Sequence, residues 1–309
     1  MSLSQSLPSA PGLGVAADEV SGRAALDRRR RAFRALHERG CFVIPNPWDV
    51  GTARYLQHLG FPALATTSAG FAFSQGRPDS ADDGVSGRDR NLAYIASITG
   101  AVDLPVSADF MSGYGREPEE VAESVARCVA TGVAGLSIED ATGDSSSPLY
   151  DLPTASARVR AARQAIDQSG ADVLLTARAE CYHVGHPDPF RESVRRLQAY
   201  VAAGADVLFA PGPQTPEEIE ALVAAVAPRP LNLLVVRDIG LRVEEIAALG
   251  VRRISVGGAL ALAAWTGFIR AAQALKTEGS FAGLANMVPY GEINDLFAAD
   301  LPGRQARGR

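Results

Sequence analysis

The stretch PVSADFMSGYG, residues 105–115, carries an apolar run, a single carboxylate and a glycine-bracketed turn. Val106, Ala108 and Phe110 alternate with Ser107 and Asp109. That period of two, closed by Gly113, reads as a buried strand whose last inward side chain is Asp109. Similar short runs recur along the chain: CFVIPN (41–46), ALATTS (63–68), GLSIED (135–140), VLLTAR (173–178), VLFAPG (207–212), LNLLVV (231–236) and RRISVG (252–257). With residues 105–110 they make eight, and a helical pattern follows each. Strands separated by amphipathic helices pair in parallel through right-handed crossovers, and eight such units predict an α/β fold, the (β/α)8 barrel of the TIM type. A doubly wound open sheet is the alternative.

The punctuation agrees. A charged helix over about 21–39 closes at Gly40, Ser86 or Asp89 can cap the helix through NLAYIASITG, and EPEEVAESVARCVATG has acids in its first turn and a glycine at its end. No Pro- or Gly-rich linker divides the chain. The expected organisation is a disordered lead-in (1–20), one barrel domain with a C-terminal helical extension (21–298) and a basic tail (299–309). The extension, a long apolar helix over about 259–277 followed by FAGLANMVPYGEINDLFA, is too apolar for a free tail and should pack on the barrel or on another subunit.

With 47% hydrophobic residues in 309, the chain can bury a large core. A net charge of -5 without a basic stripe gives no footprint for nucleic acid or an anionic membrane, so the expected partner is a small molecule. No run approaches the ~18 apolar residues that span a bilayer. Cys41, Cys128 and Cys181 lie far apart, which fits a reducing cytoplasm better than a disulfide framework.

In a parallel barrel the reacting groups sit at the carboxyl ends of the strands. Those ends offer Asn46 and Asp49, then Thr67, Ser68 and Gly70, then Asp109, Glu139 with Asp140, Arg178 with Glu180, and Asn232 within the seventh run. Asp109 and Glu139 fall at equivalent depth on neighbouring strands and could face one ion; capping the next helix is the plainer reading of each. Arg178 could neutralise these acids or grip a substrate carboxylate with its planar fork. The TTSAG turn can offer backbone N–H groups to an anion. Carboxylates suit Mg²⁺, with Mn²⁺ as the alternative, whereas zinc or copper would want His and Cys. His37, His58, His183 and His186 show no metal spacing; His183 and His186 border the mouth or belong to a solvated loop.

Taken together, NPWDVGTAR, TTSAGFAFSQGRPD, SADFMSGYG, SIEDATGD, TARAE and VPYGEINDLF resemble the isocitrate lyase/phosphoenolpyruvate mutase superfamily over about residues 41–298. The resemblance implies a TIM-type barrel whose last helix is often exchanged between subunits of a homodimer or homotetramer. It implies Mg²⁺, a 2-oxo or 2-hydroxy carboxylate and an enolate. Carried over by motif, Asp109 would be the direct metal ligand, with Asp79 and Glu139 holding metal waters. Thr67, Ser68, Ala69 and Gly70 would form the oxygen cradle, Arg178 would pair with the carboxylate, and Asn232 would line the pocket.

Two positions depart from the pattern. Met111 stands where the family usually has a second acid. The segment EDATGDSSSPLYD (139–151) lacks the Lys-x-Cys-Gly-His loop of isocitrate and methylisocitrate lyases and the Lys and Asn of the phosphonopyruvate enzymes. Those activities are disfavoured. The expected reaction is C–C cleavage or decarboxylation of an oxaloacetate-like or substituted malate-like diacid. Its base would be Glu180 or a metal-bound water, with Tyr182 as an outside candidate; Cys181 could act as an acid or simply pack. The alternatives are a hydrolase or mutase of a phosphonopyruvate-like acid, with Ser145, Ser146 or Ser147 positioning water, and a catalytically degraded metabolite-binding barrel.

Overall fold

A computed structural model describes residues 13–79 and 84–307. Eight strands, β1 (Phe42–Ile44), β2 (Leu64–Ala65), β3 (Val106–Asp109), β4 (Gly135–Glu139), β5 (Leu174–Arg178), β6 (Val207–Phe209), β7 (Leu231–Leu234) and β8 (Arg253–Ser255), pair in parallel in the order β1-β8-β7-β6-β5-β4-β3-β2. All eight fall inside the runs read from sequence. The seam between β1 and β2 carries no ladder. It is closed by Ala65 N–H donating to the Pro45 carbonyl at 3.0 Å and by Asn46 Nδ2 donating to the Thr66 carbonyl at 2.9 Å. The open-sheet alternative is therefore excluded.

Alternation along each strand separates two environments. Val106, Ala108, Leu136, Ile138, Leu175, Ala177 and Leu208 join the buried core between sheet and helices. Ser107, Asp109, Ser137, Arg178, Phe209, Asn232 and Arg253 face the barrel interior, where they line a cavity. The helices start where the sequence supplies a cap. Asp151, Asp188 and Thr215 each precede a first-turn proline and accept a backbone N–H from the next turn, opening α6 (Leu152–Gln168), α7 (Pro189–Ala202) and α8 (Pro216–Val226). The other helices of the barrel are α1 (Leu13–Glu38), α2 (Val50–His58), α3 (Ser68–Ser74), α4 (Gly84–Ala101), α5 (Pro118–Ala130) and α9 (Val243–Ala248).

Helix α1 plugs the amino end of the barrel. Phe33 is buried against Phe42, Ile44, Leu174 and Val207. A Cβ at Gly135 would lie 2.7 Å from the Phe33 ring, so β4 begins with glycine to admit that plug. Buried Arg30 fastens the helix by donating to the carbonyls of Val133 at 3.1 Å and Val129 at 3.3 Å.

Several boundaries differ from the sequence reading. Helix α1 begins at Leu13, inside the expected disordered lead-in; residues 1–12 lie outside the described residues. Helix α4 begins at Gly84, upstream of both Ser86 and Asp89, so neither caps it. The chain divides into two compact units, Met1–Leu260 and Ala261–Arg309. The second unit holds most of α10 (Ala259–Gln273), a π-helical turn (Ala274–Glu278) and α11 (Tyr290–Arg307), which runs through the expected basic tail. Among the described residues no helix is long and apolar enough to cross a membrane.

Candidate active site

Asp109 ends β3 and is held at every backbone group. Its N–H donates to Thr66 Oγ1 at 2.8 Å and its carbonyl accepts from Asn91 Nδ2 at 3.3 Å. One carboxylate oxygen, Oδ2, accepts the Ser68 N–H at 2.9 Å. For the other, Oδ1, the nearest charged partner is Arg178 Nη1 at 3.9 Å, beyond hydrogen-bond reach. The carboxylate is thus aimed while one oxygen stays available.

Arg178 ends β5 in register with Glu139 on β4 and Phe209 on β6. Its Nη1 lies 3.2 Å from Glu139 Oε2, its Nε donates to Glu180 Oε1, and its guanidinium carbon sits 5.1 Å from the centre of the Phe209 ring. Burial alone would lower its pKa, but Glu180, Glu139 and Asp109 together raise it, so the cation is permanent. Burial pushes the Glu139 carboxyl well above its ordinary range, against the pull of Arg178; Glu180 and Asp109 add to the rise. Burial also acts on Glu180, yet Arg178 and a 2.8 Å hydrogen bond from His183 Nδ1 bring it below the usual value. Both Glu180 oxygens are therefore taken by protein donors, which suits holding Arg178 more than abstracting a proton.

The neighbouring acids of SIED diverge because the strand alternates. Glu139 faces Arg178, while Asp140 turns outward and accepts from Arg196 Nη1 at 2.9 Å, the Tyr200 hydroxyl at 2.5 Å and the Glu180 N–H at 2.8 Å. Asp140 is a buried anchor that fixes Glu180 from behind.

A cavity of about 220 Å³ opens at this mouth, with Thr67, Ser68, Ala69, Asp79, Asp109, Arg178 and Asn232 among its wall residues. Asp79 lies on the rim, where desolvation and the Asp109 charge raise its pKa and a hydrogen bond to Ser68 opposes the rise. Other candidates are engaged by the protein itself, although Asn46 stays on the cavity wall. The Gly70 N–H is used by the Thr67 side chain that caps α3, at 3.2 Å, so Gly70 is no free donor of the cradle. Asp49 caps α2, accepting from Thr52 N–H at 2.7 Å. Asn46 ties β1 to its neighbours, accepting from Val256 and Gly257 N–H at 3.0 and 2.8 Å. Met111 borders a smaller cavity of about 50 Å³ with Asn91 and Tyr114, which shares Ser68 and Asp79 with the main one. Its φ of 49° is left-handed, and its carbonyl accepts the Glu139 N–H at 2.9 Å.

The remaining loop residues are engaged away from the cavity. The Tyr182 hydroxyl donates to Glu218 at 3.3 Å. Cys181 is buried, its thiol pushed up to about 11 by that burial, and it packs. Ser145, Ser146 and Ser147 lie in an exposed turn, where Ser146 donates to Asp144 at 2.7 Å. His186 Nδ1 accepts from Asp188 N–H at 3.1 Å in the turn before α7. His183, by contrast, is on the cavity wall, its ring oriented by Glu180. Its sequence signal was its place in the loop after the fifth strand, shared with His186.

Among the described residues no three His, Cys, Asp or Glu side chains converge as a ready-made metal cage. What is present is an oxygen-only set: the open Oδ1 of Asp109, flanked by the carboxyl groups of Asp79 and Glu139. That set fits Mg²⁺, which is usually held by one or two carboxylates and completes its octahedron with waters and substrate oxygens. It does not fit zinc, which needs four close ligands.

Comparison with known proteins bears on this site. Residues 33–276 match the family model described as phosphoenolpyruvate phosphomutase. An uncharacterized protein of Mycobacterium tuberculosis is 34% identical, over 85% of this chain and 94% of its own. The 2,3-dimethylmalate lyase of Eubacterium barkeri is 27% identical, over 84% of this chain and 90% of its own. A crystal structure from Burkholderia cenocepacia J2315, assigned no more narrowly than lyase/mutase, is 46% identical with a TM-score of 0.84, covering 89% of this chain and 97% of that one.

Proposed function

Since the chain belongs to the phosphoenolpyruvate phosphomutase family and is an enzyme of the isocitrate lyase/phosphoenolpyruvate mutase superfamily, we propose that it breaks a C–C bond in an oxaloacetate-like or substituted malate-like diacid with the help of Mg²⁺. The observation that carries the reading is the aimed carboxylate of Asp109, with one oxygen fixed by Ser68 and the other open beside Arg178. Asp109 would hold the ion directly, and Asp79 and Glu139 would hold its waters. When bound, the ion supplies Lewis acidity toward the negative charge that develops as the bond breaks.

The chain's own residues do the rest. Arg178, locked by three acids, orients the substrate carboxylate at the mouth. Ser68 and Ala69 on the wall face the adjoining oxygens. Decarboxylation requires no base to begin. Retro-aldol cleavage requires one to take the hydroxyl proton, and His183 is better placed for this than Glu180, because its Nδ1 is tied to a carboxylate while the ring borders the cavity. The loop after β4 contains neither Lys, Cys nor His and ends in an exposed serine turn, which argues against isocitrate lyase and phosphonopyruvate chemistry.

The test is a panel of 2-oxo and 2-hydroxy diacids assayed for pyruvate or CO₂ release with and without chelator, on the native enzyme and on Asp109→Ala. Turnover by the native enzyme should vanish with chelator and in the variant, while the variant keeps its circular dichroism spectrum. Full activity in the folded variant would overturn the reading.

A further inference from the structure

The mouth already neutralises its own cation. Arg178 is shared by Glu139, Glu180 and Asp109, so even with a divalent ion in place the positive charges there are taken up by the protein's own acids, and a substrate with two carboxylates finds no cation to spare for the second. The second carboxylate needs a cation that is not committed. The cavity wall contains one: Arg253, the first residue of β8, at the end of the cavity nearest α1.

Arg253 is buried, and its partners among the described residues are neutral. Its Nε donates to Asn232 Oδ1 at 2.7 Å and its Nη2 to Thr176 Oγ1 at 3.1 Å. Its Nη1 lies 3.5 Å from His37 Nε2. The tautomer of His37 follows from its other nitrogen: Nδ1 is 2.8 Å from the Phe33 carbonyl and must carry the proton, which leaves Nε2 as an acceptor and the ring uncharged. No carboxylate is within ion-pair distance of Arg253 among the described residues. Burial without a counter-charge lowers its pKa to about 9, still a cation at neutral pH. A guanidinium has five N–H groups, and these contacts use three, so two remain.

A buried, unpaired cation is costly unless something offsets it. Asn232 cannot, because its Nδ2 is fixed on Ser255 Oγ at 2.9 Å and its oxygen already serves Arg253. The cavity can. Ser107 and Ser137 line it from β3 and β4, each two residues below Asp109 and Glu139. Thr176, which touches Arg253, stands two residues below Arg178 on the same face of β5. Two residues of strand rise about 6.6 Å, a separation comparable with the span of a four-carbon diacid.

We propose that Arg253, with Ser107 and Ser137 on the wall of the same cavity, forms an inner carboxylate subsite that receives the distal carboxylate of the substrate while the mouth holds the 2-oxo or 2-hydroxy acid end. The subsite selects dianions over monoanions, and in doing so it takes up the counter-charge that the protein's own residues do not provide. The inference rests on the diacid reading above and sharpens it.

Malate and lactate share the same 2-hydroxy acid head and differ by the distal carboxylate, so they isolate the subsite. Calorimetry with Mg²⁺ should show malate binding the native enzyme at least 10-fold more tightly than lactate. Arg253→Gln should weaken malate by about 10- to 100-fold, the worth of hydrogen bonds to a charged group, and leave lactate and oxalate unchanged; Arg253→Lys should restore part of the preference. Native enzyme that binds both acids alike, or an Arg253→Gln variant that keeps the native malate affinity, overturns the subsite while the mouth reading survives through oxalate. Failure of oxalate, malate and lactate alike to bind the native enzyme would sink both. Should Arg253→Gln not fold, crystals of the native enzyme soaked in malate and Mg²⁺ decide: a carboxylate within 3.5 Å of the guanidinium supports the subsite, and one turned to solvent overturns it.

Discussion

His37 makes a prediction that can be worked through from its surroundings. It lies under the barrel with one nitrogen on the Phe33 carbonyl and the other facing Arg253. Burial first, and the Arg253 charge second, lower its pKa to about 3, against about 6.5 in an unfolded chain. The depressed folded value sets the sign. Above pH 6.5 the ring is neutral in both states and costs nothing. As the pH falls below 6.5 the unfolded chain takes up a proton that the native state refuses, so stability is lost through this group down to about pH 3. The slope approaches about 1.4 kcal/mol per pH unit once the pH is below 6.5, and from pH 7.5 to 4.5 the loss amounts to about 2.7 kcal/mol. His37→Gln removes that proton uptake. The substitution also changes packing, but that offset does not depend on pH, and the titrating carboxylates are common to both proteins. Urea unfolding of the two at half-unit steps should therefore show the native protein losing about 2.7 kcal/mol more than the variant across this interval. Parallel stability curves would mean that His37 is protonated or solvated in the folded state, and the neutral tautomer assigned beside Arg253 would fall with it.

Two further outcomes follow from the site's supports. Asp140→Ala strips acceptors from Arg196, Tyr200 and the Glu180 amide at once; the loss should be about 3–5 kcal/mol, read as a drop in Tm of several degrees, and a neutral result would show that water replaces the carboxylate. Met111→Asp supplies the second acid that the superfamily resemblance leads one to expect two residues after the proposed metal ligand, at a left-handed φ that aspartate tolerates better than methionine. It should tighten Mg²⁺ binding in the presence of oxalate by about 10-fold or more, measured by calorimetry, and unchanged affinity would show that this side chain does not reach the ion's waters.

The sequence by itself determined the barrel. Eight apolar runs alternating with capped helices admit few topologies, because parallel pairing and right-handed crossovers are general consequences of strand twist. It also determined which acids gather at the mouth, since strand ends in a closed barrel converge whatever the loops do. Asp109, Glu139 and Arg178 were legible for that reason. Tertiary structure alone decided the rest. In SIED the two acids are chemically alike, and only the pleat sends Glu139 to the mouth and Asp140 to Arg196 and Tyr200. In sequence Glu180 is one candidate base beside a metal-bound water; in the fold Arg178 and His183 occupy its oxygens. Arg253 escaped notice because it opens its strand instead of closing it, and sequence cannot say whether a charge at a strand's start meets solvent or the interior. Pairing, burial and the absence of a counter-charge are properties of distance between residues far apart in the chain, and distance is what folding creates.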